Sequence, residues 1–405
     1  MRRTRILSLA LTAGLLSCGF AAALEVPITV EEAVPAALLG RGFEVKVPKR
    51  ARVNEPLTVG IPLCDADQVT DVKQLGLAGA KVGQFRALNR YPSGNIQWVL
   101  VDTLVSLDAG KTATVKLVKG KGNFGGPDLA TDAGETITVN TGAAEFTVRK
   151  SKFNVLDSVK VGNREMLSGG GALVSTDNAK KEYSSANDPG SDAVLEENGP
   201  VRAVILANGR LVGAGGAGHV WYTTRMYFYR GKSRVRLDVS LRNDMKTLLK
   251  AQHVNRFEVQ LPLKLAGGAN FTFVGKDDSQ TWKGKVAAGE EAAVFQGYST
   301  LLAAYDMDVK AGKSIKRAKL MPLGSKVGSA DFRGIKVMNG GGGLHKPGNE
   351  KEFTRGWADF CGSDGAGAAA AIRWMAGYWP ASLEVAGDGR MTVGLFSKHN
   401  PDAFQ

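Results

Sequence analysis

The sequence has little of what most enzyme motifs are made from. It holds three cysteines and four histidines in 405 residues, with 7% aromatics. So few cysteines exclude a disulfide-dense scaffold. Cys64 and Cys361 lie far apart with no histidine at ligand spacing, which is not a zinc pattern. His219, His253, His345 and His399 share no spacing such as HxxxH, and no GxSxG is present. Zinc and hydrolytic-triad chemistry are therefore unsupported. No stretch approaches 18 consecutive apolar residues, so no membrane span is expected. No Gly-X-Y period exists, which excludes collagen. At 43% hydrophobic and 22% charged, the chain is too apolar for a disordered protein.

Glycine and positive charge are in excess. The 51 glycines make up about 13% of the chain, against about 7% ordinarily. The formal net charge is +13. Arg2, Arg3 and Arg5 precede an apolar run at 6–16 and a small-residue site at Ala21-Ala22-Ala23. Residues 1–23 therefore read as a secretory signal peptide. Leu15-Leu16-Ser17-Cys18 also resembles a bacterial lipobox, so a lipid anchor at Cys18 stays open. Either route leads to the periplasm or the extracellular space. Losing three arginines and no acid takes the charge from +13 to +10. Cys64 and Cys361 could then form one disulfide or remain two free thiols.

Strand signals dominate. Alternating or β-branched runs occur at Phe43–Val47, Leu57–Ile61, Ile96–Leu104, Thr112–Val118, Thr136–Val139 and Glu145–Arg149. Others fall at Val201–Ala207, His219–Tyr229, Val235–Leu241, Asn255–Leu263, Ala292–Phe295 and Met391–Phe396. Only Glu31–Leu39 and Leu301–Val309 could hold a few helical turns. The expected class is mainly β, as sandwiches or barrels. Glycines cluster between strands, as at 213–218, which reads as a hairpin connection. A boundary is expected near 120–134.

Residues 219–242 give the sharpest local reading. Gly231-Lys232 suits a two-residue type II′ turn. That register pairs Tyr222, Thr224, Met226 and Phe228 with Leu241, Val239, Leu237 and Val235 on one apolar face. The opposite face pairs Trp221 with Arg242, Arg225 with Asp238, Tyr227 with Arg236, and His219 with Asp244. It is either a solvated face of ion pairs and cation–π contacts or an open surface for an acidic sugar. On the next strand, Phe257, Val259, Leu261 and Leu263 share one face, and Arg256, Glu258 and Gln260 the other.

Several motifs then resemble the exo-rhamnogalacturonan lyase/YetA-like family. They are Gly60-Ile61-Pro62, Gln84, and Tyr91-Pro92-Ser93-Gly94 followed by Trp98, an expected interior aromatic. Glu197-Asn198-Gly199-Pro200-Val201-Arg202-Ala203, Arg355-Gly356-Trp357-Ala358-Asp359 and Tyr378-Trp379-Pro380-Ala381-Ser382-Leu383-Glu384 continue the likeness. The resemblance implies a RIFT-type β-barrel over 24–122 and a large antiparallel β-sandwich over 123–405. It also implies a C-terminal α/α toroid, and residues 391–405 show no helical array. Such a module is expected on a separate chain, or the protein works without it.

The resulting expectation is an exported protein that binds or processes acidic polysaccharide. Its alternative is a non-catalytic structural or glycan-binding β-protein. β-Elimination needs a carboxylate neutraliser, a base and an acid. Arg225, Arg236 and Arg242, with Trp221, are the candidate substrate-binding residues. His219, Tyr227 and His253 are the candidate catalytic ones. No cofactor or metal is expected. Dispersed basic residues and the lack of a recognised module argue against nucleic acid.

Overall fold

The structure, a computed structural model, describes residues 24–32, 49–120, 126–243, 252–276, 279–297, 334–346, 352–376 and 380–399. Among these there is no α-helix, only strands and three short 3-10 turns. The signal segment, Cys18, Phe43–Val47, Leu301–Val309, Asp244 and Tyr378-Trp379 lie outside the described residues. Glu31, the first residue of an expected helical turn, instead ends the strand Glu25–Glu31.

Apolar side chains separate into two clusters. The first runs from Leu24 to Leu117 and the second from Leu129 to Met391. The first lies among two three-stranded antiparallel sheets. One orders Glu25–Glu31, Thr112–Lys119 and Leu75–Ala78; the other orders Arg52–Pro62, Ile96–Leu107 and Gly83–Arg90. Alternation sets which residues face inward. Val99, Val101 and Val105 are buried, so Trp98, Leu100 and Asp102 point the other way. Trp98 is 41% exposed, and the expectation of an interior aromatic is corrected. The valines take the core parity and leave the indole outside. Tyr91–Gly94 is the expected turn, closed by Gly94 N–H donating to Tyr91 O at 2.9 Å, with Gly94 at φ 91°.

The larger unit is built on a 12-stranded antiparallel sheet, backed by a five-stranded and a four-stranded sheet. Phe146 of the five-stranded sheet meets Phe228 at 5.2 Å between ring centroids. Phe271, Phe273 and Phe360 of the four-stranded sheet join the same core. The 219–242 hairpin has the register its alternation predicts, from Phe228↔Val235 to Trp221↔Arg242. Tyr222, Thr224, Met226 and Phe228 are all fully buried, and Gly231 takes φ 70°. The 213–218 glycines form a tight connection, with Gly213 N–H donating to Ala217 O at 2.8 Å. Cys64 and Cys361 are not joined in a disulfide.

A polar joint links the units. Gln84 Oε1 accepts from the backbone N–H groups of Val201 and Arg202, at 3.1 and 2.9 Å. A Cβ on Gly199 would meet the Gln84 amide at 2.4 Å, so only glycine permits this approach. Arg202 lies between Asp102 of the smaller unit, at 3.3 Å, and Glu197 of the larger. Burial pushes the Asp102 carboxyl up, against the opposing pull of Arg202 and Thr58.

Candidate functional site

Residues paired across antiparallel strands share a face, so the outer surface of the hairpin and its neighbours can be laid out in rows. The strand Arg202–Val212 pairs Arg210 with Trp221, and Val235–Arg242 pairs Arg242 with Trp221 on the other side. The two guanidinium carbons lie 5.7 and 5.8 Å from the indole centroid. Arg210 Nε and Nη2 donate to the carbonyls of His219 and Gly218, not to a carboxylate. Further along the same face, Arg236 lies 5.0 Å over the Tyr227 ring. Both aromatic residues are half-buried, and their neighbour strand Val235–Arg242 is a sheet edge.

The ion pairs on this face differ from the expected ones. Arg225 holds Glu196 in a bidentate pair at 2.7 and 2.8 Å rather than Asp238. A bulge between Leu195 and Glu197 interrupts the register beside Arg202–Val212, at the position of Glu196. Asp238 is held instead by Arg236 on its own strand, at 2.9 and 2.7 Å.

The three catalytic candidates are not gathered into one constellation. His219 is buried, stacked on Tyr183 at 4.5 Å, and used at both ring nitrogens. Nδ1 lies 2.9 Å from Ser175 Oγ and Nε2 lies 3.0 Å from the His253 carbonyl. Burial lowers its pKa, so the ring is neutral, with Nε2–H donating and Nδ1 accepting. His253 thus meets His219 through its backbone. Burial and Asp238 push the Tyr227 hydroxyl up, against the direction a base requires.

A second, buried polar group lies on the face of the same sheet opposite its apolar core, at Arg256–Pro262, Arg390–Phe396 and Ala381–Ala386. Glu258 pairs with Gly394 and Gly394 with Ser382, while Gln260 pairs with Thr392 and Thr392 with Glu384. Glu258 and Glu384 are 1% and 2% exposed. Glu384 accepts from Ser382 Oγ at 2.5 Å and lies 3.1 Å from Lys398 Nζ and 3.4 Å from His399 Nε2. Burial alone would raise its pKa; His399, Lys398 and Ser382 outweigh it and hold the carboxyl at about 2. Glu258 is pushed up, by burial first and then by Glu384.

Glu291, Glu384 and His399 bring one donor atom each within 4.8 Å of one another. Lys398 already lies on both carboxylates, at 2.6 Å from Glu291 and 3.1 Å from Glu384, and supplies the positive charge there. The adjoining groove, of about 470 Å³, is lined by Glu290, Glu291 and Asp388 against Arg390 alone, which disfavours an anion. Sequence reasoning missed this cluster. Its signal was the polar set Arg256, Glu258 and Gln260 opposite an apolar face, together with the Ser382-Leu383-Glu384 motif.

Comparison with known proteins places this geometry. Residues 129–264, about a third of the chain, match the family described as PcRGLX-like protein central beta sandwich domain. No curated protein matches the chain. The matched span holds the whole five-stranded sheet and the Arg210–Trp221–Arg242 row. Residues 129–264 are therefore similar to the PcRGLX-like central β-sandwich domain, and this supports the resemblance of that part of the chain to the rhamnogalacturonan lyase-like family.

Proposed function

We propose that this protein binds acidic glycans on the outer face of the strands Arg202–Val212, Gly218–Tyr229 and Val235–Arg242. The observation that carries this is the Trp221 ring flanked by Arg210 and Arg242 on an open sheet face. An aromatic ring offers a flat apolar surface to a sugar, and arginine grips a carboxylate in bidentate fashion. Uronate-containing polysaccharide combines both features. Tyr227 and Arg236 repeat the pairing further along the face. Binding rather than lyase activity is the better reading, because the His219 ring is spent on structural contacts and the Tyr227 hydroxyl is pushed up.

The test uses purified protein with rhamnogalacturonan and with a neutral glucan. Calorimetry should detect binding to the acidic polymer alone, weakening with added salt. Trp221→Ala should lower the affinity at least about tenfold, as loss of a central aromatic anchor does. No ultraviolet-absorbing unsaturated uronate should accumulate. Product formation would restore the lyase alternative, and equal binding of the neutral glucan would remove the role given to the arginines. Export belongs to the same proposal. Mass determination of the mature N-terminus should find Leu24, whereas a lipidated Cys18 would mean a membrane-anchored form.

A further inference from the structure

The acidic-glycan reading leaves the smaller unit without a role, yet that unit carries an exposed tryptophan on the face that leads to the joint. Trp98, Leu100 and Asp102 share one face of Ile96–Leu107. Across the sheet, Pro62 and Asn89 flank Trp98, Gly60 and Arg86 flank Leu100, and Thr58 and Gln84 flank Asp102. A Cβ placed on Gly60 would lie 3.8 and 3.9 Å from Cε3 and Cζ3 of the indole. The benzo edge of Trp98 therefore leans over a residue that has no side chain, while 41% of Trp98 remains open to solvent. That is an aromatic platform resting on a sheet, the arrangement on which the apolar side of a sugar ring stacks.

The platform leads toward the larger unit's arginine–aromatic face. Arg86, half exposed, reaches Glu197 at 2.8 Å across the joint. Asp102 meets Arg202, and Arg202 is paired across its strand with Tyr229, the row next to Tyr227 and Arg236. Side chains from the two sheet faces thus converge at the joint. Trp98 is four residues from Asp102, and Arg210 is eight from Arg202. At about 3.3 Å per residue, these two strand segments, which meet at the buried Asp102–Arg202 pair, add up to roughly 40 Å.

We propose that Trp98 is a second sugar-stacking subsite, so that one acidic glycan chain lies across both units. This rests on the acidic-glycan reading and adds to it a chain-length requirement. Short acidic oligosaccharides engage the Trp221 row alone, and the polymer gains the Trp98 contact as a tethered second event.

The experiment compares wild type, Trp98→Ala, Trp98→Phe and Trp221→Ala in titrations with uronate oligosaccharides of graded length and with the polymer. Circular dichroism should be the same for wild type and both Trp98 variants, since Trp98 is exposed, and it checks the fold of Trp221→Ala. Trp98→Ala should leave short-oligosaccharide affinity unchanged and weaken polymer binding about tenfold. Trp98→Phe should recover most of that loss. Trp221→Ala should weaken both ligands. If Trp98→Ala binds the polymer as wild type does while Trp221→Ala is impaired, the second subsite is wrong and the primary face stands. If wild type binds neither ligand, or Trp221→Ala changes nothing, the acidic-glycan reading itself fails.

Discussion

Glu384 keeps its charge where a carboxylate costs most, because Lys398, His399 and Ser382 surround it. The consequence for stability has a definite sign. Its folded pKa of about 2 lies below the ordinary 4.5, so its contribution is fully present above about pH 4.5. That contribution is lost as the pH falls toward 2, and a depression of this size corresponds to about 3 kcal/mol. Glu258 works in the opposite sense. Its raised pKa favours the folded state below pH 4.5, and the benefit disappears as the pH rises through its folded pKa. Urea unfolding at pH 7, 5 and 2 should show Glu384→Gln less stable than wild type at pH 7 and nearly equal to it at pH 2. Glu258→Gln should instead gain on wild type as the pH rises. A Glu384→Gln deficit that does not shrink with acid would mean the carboxylate is not held by these cations. His219 shows the same discipline on a neutral ring. Ser175→Ala should cost about 1–3 kcal/mol by leaving a buried ring nitrogen without its partner.

At the scale of elements, the hairpin tests how turn chemistry fixes an edge strand. Gly231 has φ 70°, and its N–H donates to Thr141 O at 2.7 Å. Gly231→Ala should therefore cost about 1 kcal/mol. Hydrogen exchange should place the loss in Val235–Arg242, whose outer side has no partner strand among the described residues. Uniform acceleration across the larger sheet would contradict that placement. This hairpin was legible in the sequence because period-two alternation and a glycine turn agree on one register. The strands Ala172–Thr176, Asn270–Val274 and Gly367–Ala371 were not. All three are short: Gly367–Ala371 is almost all alanine and carries no alternation, and the alternation of Asn270–Val274 runs for only five residues. The ion pairs were legible only in kind. Arg225 was placed on the right face, but its partner Glu196 is set by a bulge two strands away, which pairing across one hairpin cannot reveal. Trp98 was misread for the opposite reason: a large aromatic was assigned to the core, although the valine parity of its own strand points it outward.

At the scale of the whole molecule, two of the motifs that suggested a family, Gln84 and Glu197–Ala203, meet at the joint. Gln84 comes from one unit and Gly199-Pro200-Val201-Arg202 from the other, and they meet through two backbone hydrogen bonds. Arg202, with its side chain 6% exposed, faces Asp102 at 3% and Glu197 at 10%. Removing the guanidinium leaves Asp102 with the Thr58 hydroxyl and Glu197 with Arg86, a loss of up to about 3–5 kcal/mol where a buried pair is broken from one side. Because the two apolar cores are separate, that loss falls on their coupling rather than on either core. Wild type should unfold in one calorimetric transition, whereas Arg202→Ala should show two, the first at lower temperature. Combining Arg202→Ala with Asp102→Asn and Glu197→Gln should recover part of the loss, since amides carry no charge to leave unpaired. A single transition at the wild-type temperature for Arg202→Ala would mean that the joint is held without Arg202, by the Gln84, Arg86 and Glu55 contacts. The same variant bears on glycan binding. If both units contact one chain, uncoupling them should lower polymer affinity while sparing short oligosaccharides, because only the polymer depends on a fixed distance between Trp98 and Trp221.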